Sequence, residues 1–466
     1  MMTDRINSYF DREDIRNAML SDLEKLIEIP SVSGEKEDGA PFGREPKRAL
    51  MKMLEIAQRD NFLNENIDNY AGEINFSDKE TALAILGHLD VVPEGDGWTF
   101  EPFKMTVKDG KIYGRGTSDD KGPVIAAYYA LKAIRDMGIE LKKNVRLIVG
   151  TDEETGSLDM EHYTSVRKMP PMTFTPDSSF PVTNCEKGRF SKSFICDFPE
   201  EEKGILSFDG GCASNAVPGK AKAVTKGFSL ITTLSAVSSV KKKTGVNFET
   251  KTLSGDRIEI SAFGTGAHAS TPELGNNAVT ALIGVLSKLD RDCKTVKIFK
   301  KLKKLFPHGV LDGSALGVKM SDDVSGALTL TLDVIKTENG VLTGVFDSRV
   351  PLCSNEENTA YKIKDILKKN GFTISDTEMV PGHYVDENSD FIKTLLKSYE
   401  TFTGEKGYCE AIGGGTYVHE IEGGVAFGAI MPGTDTNMHG ADEFMPIDEL
   451  INAAKIFTLA IIELCS

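Results

Sequence analysis

Four short stretches set acidic side chains, and in one case an imidazole, directly behind apolar or turn-forming sequence. His88 and Asp90 follow the apolar run at 82–86, Asp119 and Asp120 lie in RGTSDDKGP, Asp152, Glu153 and Glu154 follow NVRLIVG, and Asp177 follows PMTFTP. In an open parallel sheet, functional groups collect just beyond the carboxyl ends of the strands. The pattern therefore predicts a single rim carrying seven carboxylates and an imidazole. Each residue alone is ordinary: a histidine at a strand end is more often a hydrogen-bonded turn residue, and acidic pairs commonly cap helices or face solvent. Together they conflict, because like charges at close range raise one another's pKa and cost stability. A multivalent cation held on the rim resolves the conflict.

The elements that must position these residues are legible as alternating apolar runs and helical stretches. TALAILGHLD and NVRLIVGTDEE read as fully buried strands, with PMTFTPDSS as a third. Between the first two lies KGPVIAAYYALKAIRDMG, a helix with proline near its start and Gly138 at its end. DIRNAMLSDLEKLIEIP adds an amphipathic helix before them. This is the signature of an α/β domain with a mostly parallel sheet.

After about residue 186 the pattern changes to two-fold alternation, in KGRFSKSF, RIEISAFG and ALTLTLDVIKTENGVLTGVFDSRVP, the last with a hairpin signal at Asn339-Gly340. Two helices are expected near 223–242 and 276–290. From about 384 the first style returns, with helices at DFIKTLLKSYETFTG and IDELINAAKIFTLAIIELC. The expected organisation is an α/β domain, 1–185 and 384–466, interrupted by an inserted α+β domain at 186–383.

Composition limits the function classes. The 466 residues, 40% apolar and 27% charged, are enough for a large core in two domains. The formal charge of −16 opposes nucleic acid binding. The lysines of FKKLKKLF, interleaved with Leu302, Leu305 and Phe306, read as the wet face of an amphipathic helix. No apolar stretch reaches the roughly 18 residues of a membrane span, and MMTDRINSYF lacks the apolar centre of a signal peptide. The seven scattered cysteines form no CxxC pair and read as reduced thiols. These features predict a soluble cytoplasmic protein without membrane or nucleic acid partners.

HLDVVP, GRGTSDDKGP, GTDEETG, TPDSSFP, GAHASTP, GGGTY and MHGADEF, in this order over nearly the whole chain, resemble the co-catalytic zinc peptidases that include carnosinases, aminoacylases and glutamate carboxypeptidases. HYVD and GVAFGA make the bacterial carnosinase-like dipeptidases especially similar. The resemblance implies that His88 and Asp177 hold one divalent ion, that Glu154 and His439 hold another, and that Asp119 bridges both. Such a donor set suits zinc, with manganese or cobalt as alternatives. It further implies that Glu153 is the general base for a metal-bridging hydroxide, that Asp90 accepts the second ring N–H of His88, and that the Asp119–Asp120 peptide is cis.

In the insert, His268 of GAHAS matches the family's oxyanion-stabilising histidine, Arg349 of FDSRVP the residue that pairs with the substrate carboxylate, and Asn215 of CASNAVP a further substrate contact. Gly413, Gly414 and Gly415 offer backbone donors near the ligand. The implied protein is a metal-dependent dipeptidase acting on short unblocked L-peptides, with the insert as a lid that supplies His268 within one chain, so that a monomer is sufficient. An N-acyl amino acid deacylase or desuccinylase would share every metal residue. A non-catalytic peptide-binding protein on the same scaffold would have no use for Glu153.

Overall fold

The computed structural model describes residues 1–289 and 292–466. The chain divides into two compact units, one made of Met1–Cys185, Tyr384–Glu410 and Gly415–Ser466, the other of Glu186–His383 and Ala411–Gly414.

The first unit is α/β. Thr81–His88 pairs in parallel with Asn144–Gly150 on one side and Met172–Thr175 on the other, and Gly424–Ala426 continues the parallel run beyond the latter. Antiparallel strands flank this centre: the hairpin Leu63–Ile67/Ala71–Asn75 beyond Asn144–Gly150, and Val182–Glu186 beyond Gly424–Ala426. The central strand is apolar without alternation because both its faces are covered. Leu83 and Ile85 join the core built with the helices Lys121–Asp136 and Ile447–Cys465, whereas Ala84 and Leu86 join a second cluster with Met160, Tyr163 and Tyr417. The opening helix forms over Glu13–Ile27. The hairpin at 63–75 carries no apolar run in LNENI, and the reading above contains no strand there.

The second unit is an antiparallel sheet with helices sharing its core. Its long hairpin pairs Thr329–Glu338 with Val341–Val350, and both turn residues, Asn339 and Gly340, adopt positive φ, at 50° and 78°, as a tight hairpin turn of this kind requires. One expected helix is displaced. Residues 223–226 belong to the strand Lys220–Lys226, in which alternate side chains are buried, and the helix is Leu230–Thr244. The break has a local cause: Gly227 takes φ 76°, and Ser229 caps the helix by accepting from Thr232 N. The other helix is shorter than expected, Ala278–Leu286, capped by Asn277; position 290 of the expected span lies outside the described residues. Lys294–Leu305 is a helix that buries Val296, Phe299, Leu302 and Leu305, so its lysines face outward.

None of the seven cysteines forms a disulfide bond. Among the described residues, no helix is long and apolar enough to cross a membrane.

Candidate metal centre

The parallel strands of the first unit deliver their C-terminal residues to one place. His88 ends Thr81–His88, Asp119 lies in the turn before the helix Lys121–Asp136, Glu153 and Glu154 follow Asn144–Gly150, and Asp177 follows Met172–Thr175. His439 enters from the loop before the last helix, with φ 61°. The two imidazoles converge on one carboxylate: His88 Nε2 lies 2.9 Å from Asp119 Oδ1, and His439 Nε2 lies 2.8 Å from Asp119 Oδ2. Asp177 stands 3.6 Å from His88 Nε2, and Glu154 3.3 Å from His439 Nε2.

Among the described residues, two sets of donors fall within 4.8 Å of one another, His88 with Glu153 and Asp177, and His88 with Asp119 and Glu154. Distance alone thus admits Glu153 to the ligand set. The donors fit a divalent cation in a specific way. His88 Nε2 is buried and has no hydrogen bond of acceptable geometry, although Asp119 Oδ1 is only 2.9 Å away. A buried ring nitrogen without a hydrogen bond, set among carboxylate oxygens, is a donor atom available to a cation.

The supporting contacts refine the expected roles. His88 Nδ1 meets the main-chain carbonyl of Asp90 at 3.1 Å, with the Asp90 carboxylate farther off at 3.4 Å. The carboxylate also accepts from the backbone N–H groups of Glu153 and Glu154, at 3.2 and 3.1 Å, and so shapes the turn that carries those two side chains. Asp120 supports the strand end by accepting from His88 N at 3.0 Å, and the Asp119–Asp120 peptide is cis. Gly87 must lack a side chain, since a Cβ there would come within 2.5 Å of Asp120 Oδ2. Asp152 does not face the cluster: it accepts from Thr155 Oγ1 and from Leu158 N, at the start of the helix Leu158–Val166.

Electrostatics follow from this crowding. Burial opposes ionisation of Asp119, but His439 and His88 override it and hold its pKa well below the usual carboxylate range. Burial pushes Glu153 well above its ordinary value; His88 opposes the shift, and Asp177, Asp119 and Glu154 reinforce it. Asp119 and Glu154 raise His439 to about 10 against the effect of burial. Burial also opposes the charged form of His88, yet Asp119, Asp177 and Asp90 outweigh it and keep the pKa well above 6.5.

Metal ligation needs neutral imidazole. The acidic neighbours raise His439 to about 10 and His88 above 6.5, so binding divalent ions to chelator-treated protein is expected to release protons and to strengthen with rising pH. Calorimetric titration in buffers of different ionisation enthalpy measures the release; buffer-independent heats would contradict it. The stability linkage has a matching sign. The raised pKa of His439 stabilises the metal-free fold fully below its unfolded value of about 6.5, and that contribution is lost as pH rises through about 10.

In the second unit, the insert residues form a connected group. Ala216 and Val217 pair with His268 and Ala267, and Asn215 O accepts from Ala269 N at 2.8 Å. His268 Nδ1 contacts Ser270 Oγ at 2.6 Å, and Gly413 packs so tightly on Ser270 that an added Cβ would lie 3.0 Å from its Cβ. Arg349 Nη1 donates to Gly413 O at 2.7 Å. Gly414 belongs to this unit and Gly415 to the first. The two-pronged face expected to meet substrate is already engaged: Arg349 Nε and Nη2 donate to the two oxygens of Asp347 at 2.7 and 3.2 Å. One N–H on each of Nη1 and Nη2 is left for a further acceptor.

Residues 84–463 match the family model described as Peptidase family M20/M25/M40. The chain belongs to this family. The M20 chain is 36% identical over 470 residues to the Beta-Ala-Xaa dipeptidase of Lactobacillus delbrueckii subsp. lactis, covering 96% of each protein. It is 34% identical over 454 residues to the putative dipeptidase YtjP of Bacillus subtilis (strain 168), covering 96% of this chain and 97% of that protein. The crystal structure of human carnosine dipeptidase 1 has the same fold, with a TM-score of 0.60 at 16% identity over 100% of this chain and 99% of that one. The M20 chain is a metallopeptidase.

Three residues of the M20 site escape the reading above. Tyr417 of GGGTY is buried, donates to Asp159 and meets the His88 ring edge-on at 6.0 Å between centroids. Asp159, raised to about 7 by burial and by Asp90, also accepts from Thr151 N and from Asp152 N at 3.0 Å, so it anchors the strand end before Glu153. Glu443 of MHGADEF is fully buried beside the Asp119 turn. A polar residue inside an otherwise assigned motif is the signal that could have found each of them.

Proposed function

We propose that this chain is a metal-dependent dipeptidase for short unblocked L-peptides, using two divalent ions, zinc by preference and manganese or cobalt as substitutes. One observation carries the reading: the two oxygens of Asp119 are divided between His88 and His439, as a bridging carboxylate between two ion sites would be. Asp177 then completes the His88 side and Glu154 the His439 side. Ions bound there supply a water of lowered pKa and polarisation of the scissile carbonyl.

The chain's own residues do the rest. Glu153, grouped with His88 and Asp177, takes the proton of the attacking water and delivers it to the leaving amine. His268 donates toward the oxygen that gains charge. Arg349 pairs with the substrate's free carboxylate through its remaining Nη1 and Nη2 donors, and Asn215 and the glycines 413–415 supply further polar contacts. The second unit acts as a lid, and because the same chain carries His268 and the metal ligands, a monomer is sufficient.

The relative named Beta-Ala-Xaa dipeptidase supports including β-alanyl peptides in the substrate panel. Side-by-side hydrolysis of Ala-Ala, β-Ala-His and N-acetyl amino acids is expected to consume the unblocked peptides. Turnover of the acylated compounds alone would replace this reading with a deacylase.

A further inference from the structure

The turn that carries Asp119 has few regular partners of its own. Residues 114–120 precede the helix Lys121–Asp136, so their backbone N–H groups must be satisfied from elsewhere. Arg115 N donates to Pro102 O and Thr117 N to Gly114 O, and three others, those of Gly116, Ser118 and Asp119, go to a single side chain. Glu443 Oε1 accepts from Ser118 N at 2.9 Å, Ser118 Oγ at 3.0 Å, Gly116 N at 3.1 Å and Asp119 N at 3.3 Å. Its Oε2 accepts from Arg115 Nη1 at 2.6 Å and Gly116 N at 3.2 Å, and its main-chain carbonyl accepts from Gly114 N at 3.0 Å. Gly116, at φ 86°, allows the curl that points these donors inward.

Arg115 is buried as well, and its Nη2 reaches Pro93 O and Glu94 O at 3.3 and 3.2 Å, while the guanidinium lies 5.3 Å from the Trp98 ring centroid. Glu443 itself sits four positions after His439, on the same loop. One carboxylate therefore joins the segment of Asp119 to the segment of His439, two residues 320 positions apart in sequence whose side chains stand 2.8 Å apart.

We infer that Glu443, with Arg115, is a positioning residue that locks the Asp119 turn onto the His439 loop and thereby sets the spacing of the metal ligands. It does not touch substrate or ion. Second-layer partners of this kind usually change metal affinity by about 10–100-fold when lost. The inference rests on the metal-centre reading, and the test separates the two.

Zinc alone is titrated into chelator-treated full-length protein and its Glu443→Gln variant, and the visible absorption of each cobalt(II)-loaded form is recorded. Glutamine keeps an acceptor oxygen but gives up the charge that holds Arg115 and the turn amides. The unsubstituted protein is expected to bind two ions, and the variant, folded by circular dichroism, to bind them about 10–100-fold more weakly with an altered cobalt spectrum. Unchanged affinity and spectrum in the folded variant would overturn the positioning role while leaving the metal centre intact. An unsubstituted protein that binds no ion would remove the metal centre, and this inference with it. Amide exchange in the unsubstituted metal-free protein decides the matter even if the variant does not fold: the clamp requires strong protection of the Gly116, Ser118 and Asp119 amides, and rapid exchange at all three would overturn it.

Discussion

Glu153→Ala is expected to retain two metal ions per chain and to lower kcat by about 10²–10⁴-fold, the range that positioned general acid–base groups contribute. The two halves of this result have separate causes. Glu153 and Glu154 are neighbours whose amides are both held by the Asp90 carboxylate, so the turn fixes both side-chain directions at once. Glu154 approaches His439, whereas Glu153 lies in the group with His88 and Asp177. In the metal-free protein its carboxyl is pushed upward by burial and by three surrounding carboxylates, Asp177, Asp119 and Glu154. Because distance alone admits Glu153 as a ligand, metal content distinguishes the two roles. A variant that loses metal together with activity makes Glu153 a ligand, and a variant with undiminished kcat removes the general-base assignment.

Arg349→Lys is expected to lower kcat/KM for unblocked dipeptides by about 10²–10³-fold, roughly 3–4 kcal/mol, within the range for breaking a buried hydrogen-bonded charge pair. Charge is conserved in this substitution, so the loss is one of geometry. Arg349 spends Nε and one Nη2 donor on Asp347, which also accepts from Ser191 Oγ at 2.5 Å, and one Nη1 donor on Gly413 O, leaving one donor on each Nη nitrogen of a guanidinium held in place by these contacts. A lysine ammonium presents a single point and cannot serve Asp347, the glycine carbonyl and a substrate together. Comparing each dipeptide with its C-terminal amide isolates the effect. The unsubstituted enzyme should prefer the free carboxylate, and the variant should lose that preference. Equal discrimination by both would separate Arg349 from the carboxylate.

The rim was legible in the sequence because burial on both faces forces central parallel strands to be apolar throughout, so that TALAILG and NVRLIVG point directly at the polar residues behind them. The family motifs added His439, which no strand pattern reaches. Elsewhere the pattern was weaker. AKAVTK next to a helix reads as its first turns, and only the positive φ of Gly227 and the Ser229 cap show where strand ends and helix begins. The edge hairpin 63–75 draws its order from pairing with Asn144–Gly150 rather than from its own residues. Carboxylate roles were the least legible, since direction depends on tertiary contacts. Asp90 serves the Glu153–Glu154 amides as well as lying beside His88, Asp152 serves a helix start, and Glu443 the Asp119 turn.

The proposed hydrolysis depends on two divalent ions held between His88, Asp177, Asp119, Glu154 and His439. Elemental mass spectrometry of freshly purified protein, paired with peptide hydrolysis after chelation and after readdition of zinc, manganese or cobalt, tests it most directly. The predicted result is two ions per chain, with hydrolysis lost on chelation and regained on readdition. A folded chain stripped of metal that still cleaves dipeptides at its original rate would contradict it.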